Sequence, residues 1–360
     1  MKACLVLPLL LLSFICQTGF AQDQTSAYPF VDNLAKTMKY GGNLTALTKA
    51  LTDPWSSPRL KARAIFIWIT ENIRYDLKDY NRHEYRGKSH KEIKCRDDED
   101  CAAKIEGWEI QYIDRVVRRK KAVCQGYALL FQRMCTIAGL RAEYLTGYTR
   151  QKYYQVGMTG PLNHAWNSVL IDSTYYLLDL TWAAGVVIPN NKGKLLHFTK
   201  SRNEYYWMTA ARDFVRNHFP EKAQWTLIPN YTLDKFAENP YYQPDELSRL
   251  HLLQPASGVL HAQKGDTIRF KIDYPNHFEH VQINSNLFHN PEIWIREDDR
   301  GRQIKPRLDT LAVKLQQYIP YKHVRNLIEF NYVISDRSLY YLDILFDRER
   351  ILRFNVQVTE

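Results

Sequence analysis

At 360 residues the chain has room for two domains plus a processing segment. A hydrophobic fraction of 45% is ordinary for a globular protein, so a real core can be buried. The formal net charge of +10 comes without aromatic–basic interleaving, which argues against a nucleic-acid partner. The absence of any CxxC pair or HExxH helix argues against structural or catalytic zinc.

The N-terminus reads as a secretory signal. Lys2 supplies the positive end, Leu5 to Ile15 is apolar but short for a membrane span, and Gly19-Phe20-Ala21 offers small residues for cleavage. Residues 1–21 are therefore expected to leave, giving a secreted or periplasmic protein that begins at Gln22 and has no stable membrane span. The other readings are an uncleaved anchor and a lipoprotein acylated at Cys16, for which Ser13-Phe14-Ile15 is a poor lipobox. The four cysteines that remain would meet an oxidising compartment.

Residues 22–55 suggest short helices and loops. Ser57-Pro58 opens a helix, with Ser as N-cap and Pro at the first helical position. Leu60, Ala64, Ile67 and Trp68 mark its periodicity, and Ile73 to Asp76 follows its end. Residues 78–107, with four acids from Asp97 to Asp100, read as a charged surface insertion. Cys95 and Cys101, six apart within it, are expected to form a disulfide. The basic run of Arg115, Arg118, Arg119, Lys120 and Lys121 reads as a solvated helix face or loop, with steering of anionic substrates as the functional alternative. Cys124 begins an amphipathic helix, with Cys135 on its buried stripe and Gly139 as its stop. His164 to Ile171 alternates as a strand, Asp172-Ser173 is a turn signal, and Tyr175 to Asp179 returns. Pro240, Pro244 and Pro255 punctuate a linker. From about residue 256, short alternating runs such as Thr267–Ile272 and Tyr340–Leu345 suggest a small β-sandwich.

The chemistry concentrates on three residues. A helix N-terminus favours a thiolate, and Cys124 stands at one, with Gln125-Gly126 keeping the first turn slim enough for substrate to approach. A buried structural cysteine is the plainer reading. Cys135, about 16 Å farther along a continuous helix, is out of disulfide range and reads as core. If Asp172-Ser173 is a two-residue turn, Trp166 faces Asp179, and His164 is the diagonal neighbour of Asp179 on the same sheet face. A carboxylate so placed can hold an imidazole in one tautomer. A three-residue turn would reverse the parity.

Ala122-Val123-Cys124-Gln125-Gly126-Tyr127-Ala128, Asn163-His164-Ala165-Trp166-Asn167 and Leu178-Asp179-Leu180-Thr181-Trp182 resemble, in order and spacing, the three signature blocks of the transglutaminase-like superfamily. The segments from Ala62 to Asp76 and from Asp213 through His218-Phe219-Pro220 to Trp225 are also similar to it. The nearest subgroup resembles bacterial relatives of the kyphoscoliosis peptidase. The resemblance covers roughly residues 25–235 and implies an α+β fold, with a papain-like core at 22–240 followed by the all-β region at 250–360. It implies Cys124 as nucleophile, His164 as general base and acid, and Asp179 as orienter. Trp166 and Trp182 would pack around them. The Cys124 amide would be one oxyanion donor, with Trp108 and Gln111 as candidates for a side-chain donor. Thr226 stands where the family has glutamine, which bears on the cleft edge.

Three functions compete. One is a cysteine peptidase or amidase working through an acyl-enzyme. Another is a transglutaminase, in which a lysine amine resolves the same intermediate. The third is a binding module that uses the β region. Nothing resembles a calcium loop, so no cofactor or metal is expected. The expected partner is a protein or peptide substrate, with cell-wall material among the options. No oligomeric state is assigned.

Overall fold

The computed structural model describes residues 24–85, 93–190, 193–288, 294–297, 302–308, 310 and 317–359. The expected signal and its cleavage point lie outside them. Helices Tyr28–Thr37, Leu44–Thr52 and Pro58–Asn72 come first. The third starts as its sequence dictates: the Leu60 amide donates to Ser57 Oγ at 3.4 Å, and Pro58 opens the helix. Ala62 to Thr70 is buried without a break, so this helix runs through the core instead of lying on it. Arg63 within that run is compensated by Asp32 at 2.8 Å and Glu204 at 2.6 Å.

The segment expected as a charged insertion is mostly helical where it is described. Leu77–Tyr80 and Asn81–Tyr85 are short helical turns, and Asp98–Arg119 is a 22-residue helix. Residues 86–92 lie outside the described chain. The acidic run is the start of the long helix: Asp97 Oδ1 accepts the Asp100 amide at 2.8 Å, and the following acids offset the helix dipole. Cys95 and Cys101 are joined across this start.

Next comes an antiparallel sheet in the order Thr174–Leu178, Leu162–Ile171, Ala142–Thr149, His218–Pro220. The Asp172-Ser173 turn does have two residues, since Ile171 pairs with Thr174. Both turn residues have positive φ, 47° and 67°, the twist that suits a tight hairpin. The strand Leu162–Ile171 does not alternate as expected. Residues 164–169 are all buried, because the sheet is covered on both sides. Asn167 Nδ2 donates to the carbonyls of Ala128 and Glu143, at 3.0 and 3.1 Å, and so fastens the helix Cys124–Ile137 to the sheet. Trp166 meets Phe214 and His218.

Among the described residues the C-terminal region holds two larger sheets and a two-stranded one, Trp294–Glu297 with Gln303–Leu308. His251–Gln254, Thr267–Asp273, Leu327–Val333 and Lys322–Val324 form one larger sheet. Val259–Gln263, Glu349–Thr359, Tyr341–Phe346, Val281–Ser285 and Gln317–Tyr318 form the spine of the other. They share a core that includes Phe270, Ile283, Ile344 and Phe354. The stretch expected as a linker is built into both regions. Tyr241 pairs with Arg353, and Leu247 and Leu250 are buried. The buried Arg150 guanidinium donates to the carbonyls of Phe236 and Ala237, at 2.7 and 2.9 Å, and to that of Asn239. The proline spacing hid these contacts because they are made by distant partners.

Candidate active site

Two local features set Cys124 at a helix start. Lys120 takes a left-handed conformation (φ 52°) and ends the long helix. Lys121 and Ala122 then pair in parallel with Arg74 and Tyr75, and the Asp76 amide donates to Ala122 O at 2.8 Å. Val123 is the N-cap, and Cys124 is the first helical residue. The amides of Cys124 and Gln125 thus stand outside the helix's own hydrogen-bond ladder. Gly126 does not open the first turn to substrate. A Cβ there would lie 2.7 Å from Ala122 Cβ, 3.0 Å from Val116 and 3.1 Å from the Tyr112 hydroxyl, so its slimness admits the long helix.

His164 sits opposite Gly147, which in turn faces Pro220 on the edge strand. A Cβ on Gly147 would lie 2.3 Å from the Trp166 ring, so a bare backbone at that position makes room for the tryptophan. Asp179 follows the hairpin as N-cap of the short helix Leu180–Ala184. Its Oδ1 accepts the amides of Thr181 and Trp182, at 2.8 and 3.1 Å. Its Oδ2 meets His164 Nε2 at 2.7 Å and His218 Nε2 at 3.1 Å. The carboxylate is fully buried with four partners. Trp182 and Trp166 flank the His164 ring at 5.2 and 6.1 Å between centroids.

Burial alone would strip the proton from His164. The Asp179 charge and hydrogen bond, with hydrogen bonding to the Cys124 thiol, outweigh it and push the imidazole up to about 10. Burial would likewise raise Asp179, but the His164 charge and the two imidazole hydrogen bonds hold it well below the usual carboxylate range. His218 goes the other way: burial pushes it down to about 4, against its bond to Asp179. Cys135 is wholly buried, which raises its thiol well above the ordinary value.

Cys124 lies between two depressions. One, of about 200 Å³, is lined by His164, Trp182, Asn163, Gln151, Tyr80 and His83 among others. The second, of about 360 Å³, is lined by Trp108, Tyr112, Arg115, Arg119 and Lys121. Part of the basic run therefore faces the cysteine. Of the two oxyanion candidates, Trp108 lines the second depression, while Gln111 is exposed and does not. Thr226 is not at a cleft edge. It is buried, with its hydroxyl bonded to Ala223 O at 2.8 Å.

Residues 43–189 match a family model described as a transglutaminase-like domain. This stretch is a transglutaminase-like domain. The chain is 29% identical over 218 residues to the mouse (Mus musculus) kyphoscoliosis peptidase, covering 60% of this chain and 29% of that protein. It is 31% identical over 188 residues to the human (Homo sapiens) one, covering 51% and 24%. The chain thus spans under a third of the length of these relatives. A crystal structure of a TGase pairs with 46% of this chain and 35% of its own, at 18% identity and a TM-score of 0.27, which is too slight to carry an argument.

Within and just beyond the transglutaminase-like domain, His164, Asp179 and His218 also form a cluster whose donor atoms lie within 4.8 Å of one another. The 2.7 Å His164–Asp179 approach is a hydrogen bond. Two donors about 2.1 Å from one tetrahedral ion would stand roughly 3.4 Å apart, so this pair is not spaced to share a metal. Sequence reasoning assigned His218 no part in the site. It lies 39 positions from Asp179, and only its place in the family-like segment from Asp213 to Trp225 marked it.

Proposed function

We propose that the chain is a secreted thiol-dependent acyl-transfer enzyme acting on amide bonds, most naturally a cysteine peptidase or amidase. The observation that carries this reading is the buried 2.7 Å His164–Asp179 bond, with the thiol of a helix-starting cysteine on the same imidazole. Cys124 Sγ attacks the carbonyl carbon, and its own amide faces the developing oxyanion. Asp179 occupies His164 Nε2, which leaves Nδ1 to serve the thiol and then to protonate the departing amine. Water resolves the acyl-enzyme. Both mammalian relatives carry the name peptidase, which favours water over an amine. The joined Cys95–Cys101 pair suits an oxidising compartment and supports export.

An electrophilic acyl-donor probe, offered with water and with a primary amine as competing acceptors, tests the reaction. Turnover into water supports the hydrolase. Preferential transfer to the amine makes it a crosslinking enzyme. No acyl-enzyme at all would refute both. In a parallel test, His164→Ala should slow iodoacetamide alkylation of Cys124 at mildly acidic pH, because the imidazolium partner is gone. Matching profiles in the two proteins would count against the thiol site.

A further inference from the structure

The transglutaminase-like site uses one imidazole on Asp179, yet the structure supplies two. His218 is completely buried, clasped by Phe214 (ring centroids 4.3 Å apart), Trp182 (4.6 Å) and Trp166 (5.0 Å). Burying a second imidazole beside a buried carboxylate is costly unless every nitrogen finds a partner. Its Nε2 lies 3.1 Å from Asp179 Oδ2 and its Nδ1 lies 2.6 Å from Asn217 Oδ1. The titratable groups around it are Asp179, His164 with its ring centroid 5.7 Å away, and Tyr206 at 5.9 Å.

We propose that His218 is a positioning residue: held as the Nε2–H tautomer, it donates to Asp179 and so fixes the carboxylate that orients His164. The tautomer follows from the partners. A carboxylate oxygen only accepts, so Nε2 must carry the proton. A second proton on the ring would face the His164 imidazolium, so Nδ1 stays bare and needs a donor. Asn217 gives it one when its amide is turned over, so that the NH₂ and not Oδ1 faces Nδ1; the two ends of the amide have the same shape and are assigned by their partners. The amide oxygen then takes the place of Nδ2, which donates to the Tyr206 hydroxyl at 3.3 Å in the other orientation, and accepts from that hydroxyl instead. One consistent chain results: the Tyr206 O–H donates to Asn217, Asn217 to His218, and His218 to Asp179. Asp179 also accepts from His164, whose other nitrogen serves Cys124. A neutral donor suits this task. It stops the carboxylate from rotating without competing for the charge that stabilises the His164 imidazolium.

This inference rests on the thiol-site reading above, and its test separates the two. In full-length protein with ¹⁵N-labelled histidine, NMR should show His218 as a neutral Nε2–H tautomer at pH 7. An Nδ1–H tautomer, or a cation at that pH, would overturn the proposal even if no variant folds. His218→Phe keeps the ring packing and removes the donor. The His164 imidazolium should then titrate about one unit lower, and iodoacetamide alkylation of Cys124 at pH 6 should fall about tenfold. His218→Gln, whose amide can reach the same point, should recover most of that loss. A Phe variant with the wild-type profile, or a Gln variant as slow as Phe, would refute positioning. A wild-type Cys124 no more reactive than an unfolded-chain thiol would refute the thiol site itself, and the His218 tautomer would still be judged by its own spectrum.

Discussion

The strands Leu162–Ile171 and Leu327–Val333 bury themselves in different ways. The second alternates buried and less buried residues, with Ile328, Phe330 and Tyr332 facing the sandwich core. The first is buried from His164 through Val169 and carries His164, Asn167 and Ser168 inside. An alternating strand needs only an apolar neighbour on one face. A strand covered on both faces must draw partners for its polar groups from the packed neighbours: Asn167 Nδ2 finds carbonyls on the helix Cys124–Ile137 and the strand Ala142–Thr149, and His164 finds Asp179 at the hairpin end. In the C-terminal region the buried carboxylate Asp343 is met by Arg353 at 2.5 Å and Arg350 at 3.0 Å, a plain charge pairing. In the transglutaminase-like domain Asp179 is met by two imidazoles and two amides, which gives a proton somewhere to go. On the function proposed above, the first region carries the chemistry and the second serves as framework.

Substitutions should separate these two roles. The largest effect is expected from Cys124→Ala, which should abolish acyl-enzyme formation as seen by mass spectrometry while leaving the melting curve in place. Residual acylation at another side chain would break the contrast. Asp179→Asn should follow, lowering turnover by about a thousandfold or more through loss of the His164 tautomer, with far-UV circular dichroism unchanged. In the framework, Phe354→Ala should cost about 3–5 kcal/mol in denaturant unfolding and leave the Cys124 alkylation rate within about twofold. A marked change in that rate would show that the β region shapes the cleft.

The most gradual effect is in pH. His164 has its folded value raised to about 10, so its contribution is complete below its ordinary value near 6.5 and fades as pH rises through 10. Asp179 is depressed, so its contribution is present above about 3.8 and is lost toward more acid pH. His218, depressed to about 4, works against the fold in acid: below 6.5 the unfolded chain takes a proton that the folded one refuses. Stability should therefore decline gently as pH falls from 6.5 toward 4, and His218→Phe should flatten that slope in thermal scans. An equally steep slope in the variant would assign the acid sensitivity elsewhere.

Much of this protein could be read from local rules. The Ser57-Pro58 helix start, the two-residue turn at Asp172-Ser173, the Cys95–Cys101 pairing and the alternating strands after residue 256 each depend on neighbours a few positions away. The hairpin turn also fixed the parity that puts His164 and Asp179 on one face. The failures have a common cause. The acids at 97–100 looked like loop because a helix cap and an exposed polar run have the same composition. Gly126 looked open because the long helix that fills its space is unseen in sequence. The prolines from 240 to 255 looked like a linker because Arg216, which donates to the carbonyls of Leu247 and Leu250, and the strand Glu349–Thr359 bind that stretch from far along the chain. His218 looked like one histidine among eleven. Only the closing of the sheet brings it to Asp179, because a buried carboxylate must be satisfied by whichever donors the packed elements present, and sequence distance sets no limit on those.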